Sequence, residues 1–313
     1  MCMVRASPVA SWLARRRRDS VNRGRAGKII LGMALAMPMV MLLALLLSPK
    51  PTLYGDTGFS AAVYDRDGNL LRLTLAADQR YRLYTPLAQI HPAAIEATLL
   101  YEDQWFWRHP GVNPLALVRA AYSTFVARQR VMGASTISMQ LARLRFGINS
   151  TTASGKIAQI GRAVQLEWHY SKQQILEAYL NLAPYGGNVE GIGTASLIYF
   201  SRPAAALSLP EALTLAVIPQ NPARRVPGAG GDELQAARLR LLARWTQQHP
   251  EDQRWQDQAA QIWPVSGRQA LPFRAPHFVD QVLKQHAYPP QIEALVDKLM
   301  ELARANHDRL LKA

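Results

Sequence analysis

Glu102, in the stretch EDQWFWRHPG, is the residue with the best claim to acid–base chemistry. It ends an apolar helical stretch (93–101) and precedes Trp105, Phe106 and Trp107. A carboxylate among aromatic rings sheds water, and that loss raises its pKa toward the range useful for taking a proton. By residue type alone it is also what an ordinary exposed helix end looks like. Asp103 would then be an exposed neighbour, and His109 a core histidine or a hydrogen-bond partner. Further on, GASTISMQLARLRF (133–146) offers Ser135, Thr136 and Gln140 as neutral donors at a helix start, itself an anion site. Arg143 follows one to two turns later, and Lys156 and Lys172 begin the next two helices. Singly, each reads as a cap or a solvated charge. Several cations near one carboxylate suit a lipid substrate linked through pyrophosphate.

The elements that must position these residues are mainly helices. Asn113 caps a helix opened by Pro114, Ser135 or Thr136 starts another, and Ser154 precedes KIAQIGRAVQLEWHY. Ser171 caps KQQILEAYLNL, and Ser208 with Glu211 forms a capping box before LPEALTLAVI. Residues 59–75 predict two short strands around Asp67-Gly68, a hairpin signal. Past residue 227 the sequence turns Gln-, Arg- and Ala-rich, helical but without identifiable chemistry.

A membrane stands in front of this domain. Residues 29–47 form an uncharged apolar run of about 28 Å as a helix, the thickness of a bilayer core. Eight basic residues against Asp19 alone precede it, which keeps the N-terminus cytoplasmic and exports the rest. The run exceeds a signal-peptide core, and Ser48-Pro49-Lys50-Pro51 lacks a cleavage pattern, so a retained anchor is expected. That tail also carries about half of the net charge of +14. The remaining bias is too diffuse for a nucleic-acid partner. With 313 residues, 49% of them hydrophobic, the chain can build one large core, and a single cysteine excludes an intrachain disulfide. The expected division is a basic tail (1–28), an anchor (29–47), a linker with the hairpin (48–80), a catalytic domain (81–227) and a helical extension (228–313).

Four segments fall into a set. Glu102, Asp103, Phe106, His109 and Gly111 satisfy E-D-x-x-F-x-x-H-x-G. Gly133, Ser135, Thr136, Ile137 and Gln140 satisfy G-x-S-T-I-x-x-Q. Lys172, Ile175, Leu176, Glu177, Tyr179, Leu180 and Asn181 satisfy K-x-x-I-L-E-x-Y-L-N, and Ala195, Tyr199, Phe200, Glu211, Ala212 and Pro219 keep part of a last motif. In this order, over roughly residues 80–225, the set resembles glycosyltransferase family 51, the peptidoglycan glycosyltransferase domain of class A penicillin-binding proteins. QLEWHYSK and NLAPYGGNVEG point to its 1C subgroup. The resemblance implies a mainly α, lysozyme-like fold behind one transmembrane helix, in a bacterial inner membrane with the catalytic domain periplasmic.

It also implies a reaction. Lipid II and a lipid-linked glycan strand would be the substrates, and cell-wall synthesis proteins the partners. Glu102 would be the general base. Asp103, Phe106, His109, Ser135, Thr136, Gln140, Arg143, Lys156, Gln159 and Lys172 would bind substrate, the three cations at the pyrophosphate. No cofactor is required and no metal ligand is assigned; Mg²⁺ or Mn²⁺ at the pyrophosphate would be auxiliary. Here the chain departs from the family. Where R-K-x-x-E is usual, it reads Gly155-Lys156-Ile157-Ala158-Gln159, and an amide carries no charge for a metal. Glu167 is the nearest other carboxylate, better read as structural, and Thr194 replaces a family Arg. No Ser-x-x-Lys or Lys-Thr-Gly occurs, so a monofunctional transferase is expected. The alternatives are a catalytically degenerate lipid II or cell-wall complex binding protein, and a lysozyme-like glycan-cleaving enzyme.

Overall fold

The computed structural model describes residues 45–114, 135–228, 231–255 and 271–285. The chain divides into two units after Thr52. Of the first, residues 45–52 are described, where Ser48 Oγ donates to the Leu45 carbonyl at 2.7 Å. Among the described residues no helix is long and apolar enough to cross a membrane. Most of the expected anchor (29–47) lies outside them, as do the tail, Gly133 and the helix expected beyond Pro114.

In the second unit, β1 (Ala62–Tyr64) and β2 (Leu70–Leu73) pair antiparallel, as the Asp67-Gly68 signal predicts. Asp65 makes the turn. Its Oδ1 accepts from the N–H groups of Asp67 at 2.9 Å and Asn69 at 2.8 Å, a side chain standing in for a backbone turn.

Eight α-helices carry nearly half of the described residues. They are α1 (Pro92–Glu102), α2 (Ile137–Phe146), α3 (Ala153–His169), α4 (Lys172–Leu182), α5 (Ile192–Phe200), α6 (Leu209–Val217), α7 (Gly231–Gln248) and α8 (Pro276–Gln285). Caps set their starts. The Thr136 side chain accepts from the Met139 N–H, while Ser171 and Ser208 form capping boxes with Gln174 and Glu211. The α3 start expected at Ser154 moves back to Thr152, whose hydroxyl accepts from the Gly155 N–H. A parallel pair unannounced by the sequence joins β3 (Tyr81–Arg82) to β4 (Val189–Glu190). Buried Arg82 holds it, donating to Glu190 and Asp78 at 2.9 Å each.

The helices form two groups. α1, α6 and α7 pack on one another, and α2 packs against α3 and α4. α5 (IGTASLIYF) touches α4 and α6 and joins them, apolar nearly all round because it is enclosed. One hydrophobic core therefore runs through both groups. Glu102 ends α1 in the first group, whereas Gln140 and Arg143 lie on α2 in the second. The site forms where the groups meet.

That core continues past residue 227, where the catalytic domain was expected to end. Leu234, Ala237, Leu241, Leu242 and Trp245 of α7 are buried in it. These residues recur at helical spacing on one face, a period hidden inside a polar composition. Leu241 has no exposed surface. Leu241→Ala is expected to lower stability by about 2–5 kcal/mol, the usual range for emptying a core leucine site. Urea unfolding measures it, and a helix merely appended to the domain would lose almost nothing.

Candidate active site

The Glu102 carboxylate is held at one oxygen and bare at the other. Gln140 Nε2 donates to Oε2 at 2.7 Å. Oε1 is buried with no hydrogen-bond partner among the described residues. Since Gln140 gives its amide hydrogens to the carboxylate, its oxygen faces the Tyr179 hydroxyl, a long contact at 3.4 Å. Burial pushes the Glu102 carboxyl above the ordinary carboxylate range, while the Gln140 hydrogen bond and the charges of Arg225 and Arg143 oppose the shift. The raised pKa agrees with the sequence. Trp105 and Trp107 are about half exposed, at 50% and 51%. The buried aromatics that share Glu102's electrostatic environment are Tyr179 and Tyr185, whose hydroxyls are pushed up by their own burial and then by Glu102.

Asp103 turns inward rather than to solvent. Its Oδ1 and Oδ2 lie 3.0 and 2.9 Å from His109 Nε2, and Oδ2 also accepts the Ile137 N–H at 2.9 Å. One carboxylate thus ties the end of α1, the 103–109 turn and the first residue of α2. A second tie runs from Thr136 Oγ1 to the Gly111 carbonyl at 2.6 Å. Gly111 has φ +88°, and a Cβ there would meet Glu167 Cγ at 2.9 Å and the Ala163 carbonyl at 3.0 Å. Only glycine lets α3 pass this close.

The three expected cations part company. Lys172 Nζ donates to Glu167 Oε1 and to the His109 carbonyl, both at 2.6 Å, and lies 4.4 Å from the centre of the Phe106 ring. Ser138 Oγ also donates to Glu167 Oε1. The Lys172 charge is therefore already matched, and Phe106 is packed in the core beneath it. Lys156 is different, for its Nζ donates only to neutral oxygens: Ser135 Oγ at 2.7 Å and Gln159 Oε1 at 2.9 Å. Burial, and then the nearby charge of Arg143, pushes the Lys156 ammonium pKa down. The Arg143 guanidinium has no hydrogen-bond or ion-pair partner among the described residues. Among the described residues, Arg143, whose charge reaches Glu102, and Lys156 near it have no carboxylate in an ion pair.

Glu102, Gln140, Arg143, Lys156, Gln159 and Ser135 thus gather at the junction of the helix groups. Asp103, His109, Thr136 and Phe106 build the frame around them. The last motifs are framework too. Glu177 accepts from the Tyr84 hydroxyl at 2.7 Å and the Leu87 N–H at 2.9 Å, and Thr194, in place of the family Arg, accepts the Leu83 N–H at 2.6 Å. Sequence reasoning missed Arg225. It is buried and donates to the Tyr101 hydroxyl at 2.7 Å, the Val217 carbonyl at 2.9 Å and Gln220 at 3.0 Å, with Glu233 of α7 at 3.2 Å from Nε. These partners are scattered over more than a hundred residues, so no local spacing could reveal it.

Known proteins repeat this arrangement of segments. A model described as Transglycosylase matches residues 67–246. Penicillin-binding protein 1C of Escherichia coli (strain K12) is 40% identical over 227 residues, covering 71% of this chain and 29% of that protein. Penicillin-binding protein 4 of Bacillus subtilis (strain 168) is 34% identical over 180 residues, 58% of this chain and 29% of that one. Penicillin-binding protein 1A of Aquifex aeolicus (strain VF5) is 36% identical over 168 residues, 54% and 23% respectively. The chain spans less than a third of the length of these relatives. The family match covers more than half of the sequence, holds the whole Glu102 junction and reaches into α7, where the core also ends. By that extent, the chain belongs to the Transglycosylase family.

Proposed function

We propose that this chain is a peptidoglycan glycosyltransferase that polymerises lipid II into β-1,4 glycan strands with inversion and release of undecaprenyl pyrophosphate. Its apolar stretch 29–47 would anchor it in the bacterial inner membrane, tail inside and catalytic domain periplasmic. One observation supports the reading above the others. Glu102 is a buried carboxylate with one oxygen fixed by Gln140 and the other unpartnered, beside two uncompensated cations.

The chemistry divides between these groups. Glu102 Oε1 takes the proton from the acceptor sugar's 4-hydroxyl as that oxygen attacks the donor's anomeric carbon. The new C–O bond forms on the face opposite the departing pyrophosphate, so an α-linked donor gives a β-linked product. The bond from the anomeric carbon to the pyrophosphate oxygen breaks, its electron pair leaves on that oxygen, and negative charge grows on the leaving pyrophosphate. Arg143 and Lys156 would stabilise that charge, worth most in a site poor in water. Lys172, paired with Glu167, would act on the substrate only through the loop it holds. A protein that merely bound glycan would gain nothing from a buried carboxylate oxygen left bare, at a cost of about 1–3 kcal/mol. A glycan-cleaving enzyme would have no use for two unmatched cations.

Glu102→Gln is expected to lower lipid II polymerisation, followed on gels, by about 10²–10⁴-fold while leaving the unfolding midpoint near that of the parent. Polymerisation at the parent rate would remove Glu102 from the mechanism. The pH dependence has a definite sign. The base must be deprotonated, and its pKa is raised by burial, so the rate falls on acidification at a pH above that of an ordinary glutamate. An acid limb at the ordinary carboxylate position would contradict the buried geometry.

A further inference from the structure

Gly155 and Gln159 stand where the family pattern carries Arg and Glu, and each has a structural reason for being what it is. Gly155 is the third residue of α3, and a Cβ there would come within 1.8 Å of the Asn149 carbonyl oxygen. The loop before α3 closes against the helix start, leaving no room for a side chain. Gln159 is 1% exposed. Its Nε2 donates to the Met139 carbonyl at 2.7 Å, and its Oε1 accepts from Lys156 Nζ at 2.9 Å. The first contact requires the amide's N–H, and the second leaves the ammonium facing a neutral oxygen. A glutamate in the same pose would face the Met139 oxygen with a second bare oxygen and would neutralise Lys156.

The pair of replacements also preserves charge. One cation and one anion are absent together, so the positive balance around Lys156 is that of the usual pattern, while no carboxylate pairs with Lys156 or Arg143 among the described residues. For Mg²⁺ or Mn²⁺ the donors are unsuitable. These ions take carboxylate oxygens together with phosphate and water. Here Gln159 Oε1 is occupied by an ammonium, Glu167 by Ser138 and Lys172, and Glu102 Oε2 by Gln140. No three His, Cys, Asp or Glu side chains gather into a metal-binding group among the described residues.

We infer that the pyrophosphate side of this site works through Arg143 and Lys156 without a divalent cation, with Gln159 serving to hold Lys156 while leaving its charge unspent. The inference rests on the transferase reading for the identity of its ligand. Gln159 is a positioning residue, acting on the anion only through Lys156.

Inorganic pyrophosphate is the probe, titrated calorimetrically into the full chain in detergent micelles, once with EDTA and once with MnCl₂. The two dissociation constants are expected to agree within about twofold, because the protein's own cations do the binding. Gln159→Glu should weaken binding in EDTA at least about tenfold, since the new carboxylate would cancel the Lys156 charge. The parent comparison needs no variant, so it stands even if Gln159→Glu fails to fold. Parent binding that requires Mn²⁺, no binding in either buffer, or an unchanged constant in a folded Gln159→Glu protein would each overturn the inference. Metal-free pyrophosphate binding in a protein that fails to polymerise lipid II in either buffer would uphold it and bring down the transferase reading instead.

Discussion

The site depends on the Asp103 carboxylate. It is buried at 8% exposure and held by His109 Nε2 and the Ile137 N–H. It joins the end of α1 directly to the first residue of α2. Glu102 is the preceding residue, and Gln140 is one turn along from Ile137, so one clamp sets the 2.7 Å contact between them. Such a bond at a helix start also answers an otherwise orphaned backbone donor and places negative charge where the helix dipole favours it. The framework and the site electrostatics are therefore joined at a single group.

From that clamp outward, charges are sorted by whether they are matched. Lys172 with Glu167, Arg82 with Glu190 and Arg225 with Glu233 are enclosed or half-enclosed cations that have found anions, and the Arg82 pair joins strands more than a hundred residues apart. A buried pair contributes little net stability but fixes geometry, because removing either partner strands the other. Arg143 and Lys156 have no such anion among the described residues. The distinction between structural and functional cations is thus one of company rather than residue type.

Much of this was legible in the sequence where the determinant is local. The hairpin follows from Asp65, Asp67 and Gly68 within a few residues, and the starts of α4 and α6 follow from Ser171 and Ser208. The grouping of Glu102, Gln140, Arg143 and Lys156 was legible because four segments keep fixed spacings in fixed order. Part of what escaped depends on distant encounters, and part on local contacts that residue type does not announce. The β3–β4 pair brings together two-residue strands more than a hundred positions apart, too short to carry a period. Lys172 could be separated from Lys156 only by seeing Glu167 beside it. Burial of Glu102 follows from the sequence, but its electrostatic coupling to Tyr179 and Tyr185, more than seventy residues away, does not; of its aromatic neighbours in sequence Phe106 is enclosed while Trp105 and Trp107 turn half outward. In α7 the apolar stripe was hidden by the abundance of Arg and Gln on its other faces.

Gly155 makes the third motif a poor unit for exchange. Its backbone lies so close to Asn149 that the loop 147–152 and the first turn of α3 are one interlocked piece, with Thr152 capping the helix through the Gly155 N–H itself. An arginine grafted from a relative onto this position would have nowhere to go unless the preceding loop came with it. The smallest transplantable cassette therefore runs from residue 147 to residue 159, because in this chain the loop and the motif are mechanically linked, whatever each contributes to the chemistry.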